Sequence, residues 1–131
     1  SVSLKDMQRF LEQAAYFKII NGFKGFLIAL KPGLDYASDN YRWFSNNFDE
    51  FLYIDRIVIA EDARRRGLGS QLYKDVIDTA RGYSPRLTCE VNSQPPNPQS
   101  MVFHKAFGFS CVGVQSTEVG TKEVRLLSLD L

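Results

Sequence analysis

The sequence predicts an α+β fold, an α/β sandwich with helices on both faces of one mixed, mostly antiparallel central sheet. Three observations predict it. Apolar runs of strand length alternate with stretches of helical period, with no internal repeat. Two pairs of apolar runs flank the turn dipeptides Asn21-Gly22 and Gly120-Thr121, as hairpins do. "GLGSQLYKDVIDTARGYSP" places Leu68, Leu72, Val76 and Ala80 four apart, which puts them on one helical face. At 131 residues the whole chain, 1–131, reads as one domain with a core of its own.

The elements follow in order. Ser3 with Asp6 three later resembles a capping box, and Leu4, Met7, Leu11 and Ala14 then share a face of a short first helix. "YFKIINGFKGFLIAL" gives two antiparallel strands around Asn21-Gly22. Residues 31–51, rich in Asp, Asn, Ser and aromatics without clear period, read as a long loop with room for a helical turn. "LYIDRIVIA", 52–60, is the third strand, and the helix after it is stopped by Gly82 and Pro85. "RLTCEVN", 86–92, is a strand and "SQPPNP" a rigid connector. Residues 98–107 form a short helix with Asn97 as cap, Pro98 at its first position and Gly108 at its end. The terminal hairpin closes the chain.

Bulk properties narrow the partners. A net charge of +1 gives no reason to expect nucleic acid or an anionic membrane. No apolar run approaches the roughly 20 residues of a membrane span, and no signal peptide is visible. Cys89 and Cys111 both fall in strand-like runs, where buried, reduced thiols are expected, so the expected address is cytoplasmic. The chain starts at Ser1 without a methionine, so a preceding piece is expected to be missing.

The most unusual stretch is "DARRRGLGSQLY", 62–73. A strand, a turn with three arginines and two glycines, and then a helix gather unpaired N–H groups and the positive end of a helix dipole in one place. That suits an anion, phosphate above all, although glycines that merely turn the chain beside solvated arginines would read the same way. A P-loop would need a glycine five before Gly67 and a lysine after it, and the dinucleotide fingerprint would need glycine where Leu72 stands. Neither motif is present.

Arg64-x-x-Gly67-x-Gly69 resembles the acyl-CoA pyrophosphate loop, [QR]-x-x-G-x-[GA], of the GNAT superfamily of N-acetyltransferases. The resemblance extends upstream to the strand Ile57-Val58-Ile59. Downstream it extends to Asn97-x-x-Ser100-x-x-Phe103-His104-x-x-x-Gly108-Phe109, where the family has tyrosine in place of His104. It therefore covers roughly residues 52–109. It implies acetyl-CoA as co-substrate with no metal, bound by the backbone of Ile57, Val58 and Ile59. The loop Arg64, Arg65, Arg66, Gly67, Leu68, Gly69 and Ser70 would hold the pyrophosphate, with Asn97 and Phe103 contributing from the second helix. It also implies that the Ile59 N–H stabilises charge on the thioester carbonyl, a contact worth about 3 kcal/mol. The family begins with a strand before its first helix. This chain starts at or inside that helix, so the strand is either lost or upstream, and an edge exposed by its loss would favour a homodimer.

The implied reaction is direct attack of a primary amine on acetyl-CoA. A lysine-like amine of pKa 10.4 needs about 4.6 kcal/mol to become neutral at pH 7, so a base is useful. Glu90, an acid inside an apolar strand, is the first candidate and matches a glutamate that acts as base in some relatives. Its alternative is a solvent-facing strand residue. Asp55 is the second candidate, the alternative being an ion pair with Arg56 or another neighbour. His104 stands where the family's proton donor does and could protonate the departing thiolate, while a lone histidine beside Phe103 and Phe107 is also consistent with a packing role. Acids and aromatics within residues 31–51 suit a cationic acceptor, a small molecule or a peptide amine. An acyl-CoA-binding module without catalysis is the alternative to an enzyme.

Overall fold

The computed structural model describes residues 5, 14–20, 22, 24–117 and 122–131. Its six strands are β1 (Ala14–Ile20), β2 (Gly25–Leu30), β3 (Leu52–Ile59), β4 (Arg86–Gln94), β5 (Ser110–Thr117) and β6 (Lys122–Asp130). Its helices are α1 (Asp39–Asn47), α2 (Leu68–Ala80) and α3 (Pro98–Phe107), with a 3₁₀ turn at Glu61–Ala63. The strands form one sheet in the order β1-β2-β3-β4-β6-β5. Every neighbouring pair is antiparallel except β3 with β4. The expected fold class is therefore observed.

Alternation along the strands divides the core in two. Leu27, Ala29, Leu52, Ile54, Leu87, Cys89 and Val91 face α2 and α3, where Leu72, Tyr73, Val76, Ile77 and Ala80 meet them. Leu30, Tyr53, Val124 and Leu126 face the other way, under Tyr41 and Phe44 of α1. Helices thus cover both faces, and each strand residue is committed to one of two chemically different sides.

Several expectations change in detail. The first helix falls outside the described residues except for Lys5, which is helical, and Ala14, which opens β1 instead. Residues 31–51 hold a nine-residue helix, longer than the single turn expected within a loop. Its signal was short: Ser38 caps it by accepting from the Tyr41 N–H at 3.2 Å, and the only buried positions, Tyr41 and Phe44, are three apart. Gly22 has the left-handed φ of 60° expected of it, but the strands first pair at Ile20 and Gly25, so the turn spans four residues. Gly82 does not adopt a positive φ. Helix α2 ends at Ala80 and loosens through Gly82 N–H to Thr79 O and Tyr83 N–H to Ala80 O. Helix α3 has its predicted bounds, with Gly108 at φ 103° closing it. The terminal hairpin forms, its turn lying outside the described residues. Both cysteines are free, yet only Cys89 is buried. Cys111 is exposed on the edge strand β5.

Candidate active site

Strands β3 and β4 pair at only two positions, Leu52 with Leu87 and Tyr53 with Thr88. Beyond them β3 stays with β2 and β4 stays with β6, so the sheet opens into a seam. The Ala60 N–H donates to Lys24 O at 2.7 Å. Since backbone groups alternate sides along a strand, Val58 also turns its N–H and C=O to β2, whereas Ile57 and Ile59 turn theirs into the seam. Of the three residues expected to offer backbone to a ligand, Ile57 and Ile59 have it free on that side. Val58 does not, and its side chain is exposed on the α1 face.

The wide end of the seam leads into the arginine loop. Gly67 caps α2 with φ 75° and offers no side chain, so the N–H groups of Leu68, Gly69 and Ser70 have no capping partner. The first bond of the helix runs from Gln71 N–H to Gly67 O at 3.1 Å. Arg65 also has a positive φ, 66°, and Arg64, Arg65 and Arg66 are all exposed. Consecutive N–H groups in such a turn, ahead of a helix N-terminus, form a concave anion site. The two glycines have different reasons. Gly67 has open space around it and is needed for its backbone angle; a Cβ at Gly69 would meet only the Phe103 ring, at 3.9 Å. Phe103 therefore borders the loop. Asn97 uses its Oδ1 to cap α3, accepting from the Ser100 N–H at 3.2 Å, which leaves its amide nitrogen for a ligand.

The two candidate bases meet on the α1 face. Glu90 pairs across the ladder with Leu126, which is packed under α1, so its side chain takes that side. Asp55 is the extra residue of a β-bulge, since Ile28 pairs with Arg56 and Ala29 with Ile54. Neither acid has an ion-pair partner among the described residues. Each instead accepts a tyrosine hydroxyl: Tyr36 donates to Asp55 at 2.6 Å, and Tyr53 donates a short hydrogen bond to Glu90. Burial pushes both carboxyl groups above their ordinary range. The tyrosine bonds oppose that, and for Glu90 the nearby Asp55 reinforces it. Glu90 is thus half-buried on the α1 face, and Arg56 favours the charged form of Asp55 without closing an ion pair with it.

His104 lies between α3 and α2. It is buried, its Nδ1 donates to Ser100 O at 2.7 Å, and its Nε2 lies 2.6 Å from the Tyr73 hydroxyl. A carbonyl only accepts, so Nδ1 carries a proton, and in the neutral ring Nε2 is left as an acceptor facing the tyrosine hydroxyl. Burial also lowers its pKa. With both nitrogens engaged, the ring has no proton directed at the seam, and it joins α3 to α2 instead. Tyr73, with the Cys89 thiol beside it, was not foreseen as its partner, nor were Tyr36 and Tyr53 foreseen as partners of the acids. No sequence spacing signals contacts between residues so far apart.

An open parallel seam in an otherwise antiparallel α+β sheet ends at an uncapped helix N-terminus, the arrangement the sequence resemblance implies. The Acetyltransferase (GNAT) family is matched over residues 36–109, more than half of the 131, and the chain belongs to that family. Solved structures share the fold at low identity. A GNAT family acetyltransferase from Elizabethkingia anophelis with acetyl-CoA bound is 19% identical with a TM-score of 0.69, over 98% of this chain and 84% of that one. Naa20 of Chaetomium thermophilum in complex with a bisubstrate analogue is 16% identical with a TM-score of 0.72, over 100% and 74%. The ribosomal-protein-S18-alanine N-acetyltransferase of Escherichia coli is 16% identical with a TM-score of 0.62, over 99% and 90%. No curated protein gives a sequence match. Among the described residues no helix is long and apolar enough to cross a membrane, and no group of His, Cys, Asp and Glu could hold a metal.

Proposed function

We propose that the protein is an N-acetyltransferase that moves an acetyl group from acetyl-CoA to a primary amine by direct attack. The observation that carries this reading is the seam itself. It has free backbone at Ile57 and Ile59, an uncapped helix N-terminus at its wide end, and two hydrogen-bonded acids on the α1 face. In this reading the extended arm of the coenzyme pairs with Ile57 and Ile59 as an added strand would. The turn 64–70 holds the pyrophosphate, flanked by Asn97 and Phe103, and the Ile59 N–H donates to the thioester oxygen as charge grows there.

Glu90, directly or through water, takes the proton of the acceptor ammonium. Its burial-raised pKa makes it a stronger base than an exposed carboxylate. Asp55 adds negative charge that attracts the cation. An α-amino group, of pKa near 8, costs only about 1 kcal/mol to neutralise at pH 7, against about 4.6 for a lysine. That difference, with neighbours that bind bisubstrate analogues or acetylate a protein alanine, favours a peptide N-terminus over a small polyamine. The departing thiolate leaves without help from His104.

The test is release of CoA thiol from acetyl-CoA across N-terminal peptides, polyamines, amino acids and aminoglycosides. Steady thiol release with one class supports the reading. Stabilisation by CoA without thiol release from any amine supports instead a non-catalytic acyl-CoA-binding module, which the closed-off His104 position favours. Two free cysteines fit a reducing, cytoplasmic setting. The outer edge of β1, which pairs only with β2 among the described residues, supports a homodimer that sedimentation would detect.

A further inference from the structure

The residues 36–40 arrive on the acids from one short segment. Tyr36 donates to Asp55 at 2.6 Å. Ser38, the cap of α1, lies within hydrogen-bonding reach of the Tyr53 hydroxyl, which itself donates to Glu90. Asn40 accepts from Gln115 Nε2 of β5 at 3.2 Å through its Oδ1. The Asn40 amide also lies close enough to Glu90 to favour its charged carboxylate. The anchor of this segment is the core beneath α1, where Tyr41 packs edge-on against Tyr53 with ring centroids 5.6 Å apart and its hydroxyl donates to Lys31 O at 2.7 Å.

We propose that the segment 36–40, with Tyr53, is the device that aims and holds the Glu90 and Asp55 carboxylates, so that Tyr36, Ser38, Asn40 and Tyr53 are positioning residues for the base. Two arguments support it. Two carboxylates that are near each other and partly withdrawn from water repel, and each needs its own donors to stay in place. The donors are hydroxyl and amide groups, which hold a carboxylate without forming an ion pair that would neutralise it. The proposal rests on the reading of Glu90 as the base.

The test is a titration of the Glu90 and Asp55 carboxyl carbons by ¹³C NMR in the full chain, comparing wild type with Tyr53→Phe, Asn40→Ala and Tyr36→Phe. The groups facing Glu90 are Tyr53 and Asp55 of β3, Tyr36 and Asn40 of the segment, and Tyr73 and Cys89 behind it. Those facing Asp55 are Tyr36, Arg56, Tyr53 and Glu90. A donated hydrogen bond favours the charged carboxylate, so its loss raises the midpoint. Tyr53→Phe and Asn40→Ala should each move Glu90 up by about one pH unit, and Tyr36→Phe should move Asp55 likewise. Unmoved midpoints in folded variants would overturn the proposal. Asn40 is only half-buried, so Asn40→Ala keeps the test open if the Tyr53 variant fails to fold. Glu90→Gln in the thiol-release assay with an N-terminal peptide separates the two claims. Full activity there removes the base while leaving the positioning intact; loss of activity with unmoved midpoints removes only the positioning.

Discussion

Replacing Gly67 and Gly69 separately by alanine should move stability in opposite directions. At Gly67 a new Cβ meets nothing within 4 Å, but the backbone sits at φ 75°, where an L-residue is strained by about 1–2 kcal/mol. At Gly69 the angle is ordinary and the nearest atom is Phe103 Cζ at 3.9 Å, so alanine fits and gains up to about 1 kcal/mol of helix propensity. Unfolding entropy of about 2.1 cal/mol/K per residue, over 131 residues, gives about 0.28 kcal/mol/K near the midpoint. Gly67→Ala should therefore melt about 4–7 °C lower and Gly69→Ala up to about 4 °C higher. Calorimetry with and without CoA reads both terms at once. The rise in Tm on adding CoA should shrink in Gly67→Ala, whose turn is displaced, and persist in Gly69→Ala. Equal shifts of one sign would show that backbone angle is not what selects glycine here.

Glu90→Gln should cut thiol release by about 10²–10⁴ at pH 7. Because burial raises the pKa of Glu90, its folded form binds more protons than the unfolded chain, and stability falls as pH rises from about 4.3 through the raised value. Melts of Glu90→Gln should lack that loss, gaining on wild type at pH 8 more than at pH 4. His104 has the opposite sign: its lowered pKa means the unfolded chain binds the proton first, so stability is lost as pH falls from about 6.5 toward the folded value. His104→Phe should abolish that slope in thermal melts, and thiol release per folded molecule should stay unchanged; a fall would show that a proton is delivered from this position. Gly113→Ala would drive a Cβ into the Trp43 ring. It should cost about 1–3 kcal/mol and shift the fluorescence of the chain's single tryptophan.

What was legible in the sequence is what short-range chemistry writes there. Helix α3 carries its own punctuation in Asn97, Pro98 and Gly108, and its bounds follow from those three residues. The arginine loop was readable because a turn that needs Gly67 at positive φ has few other residues to use. Helix α1 was not readable, because only Tyr41 and Phe44 of its nine residues are buried, with Trp43 packed beside them, and the others match a loop in polarity. The partners of the acids were hidden for a different reason. Tyr53 reaches Glu90 across 37 residues and Tyr73 reaches His104 across 31, and these contacts exist only once the sheet order is known.

The bulge at Asp55 connects the two kinds of information. In a regular strand Ile57 and Ile59 would follow Tyr53 onto the α1 face, and Val58 would join Leu52 and Ile54 against α2. The extra residue reverses the parity, so Ile57 and Ile59 pack with the α2 core while Tyr53 remains under α1. The sequence shows this as "IDRI", two polar residues where alternation allows one. One inserted residue thus lets a single strand serve two sides. Its first half presents hydroxyl and carboxylate to the α1 face, and its second half buries isoleucines while turning bare backbone to the seam. Deleting Asp55 should therefore do more than remove a charge. It should exchange the faces of Ile57, Val58 and Ile59, an outcome that Asp55→Ala, which keeps the residue count, would not reproduce.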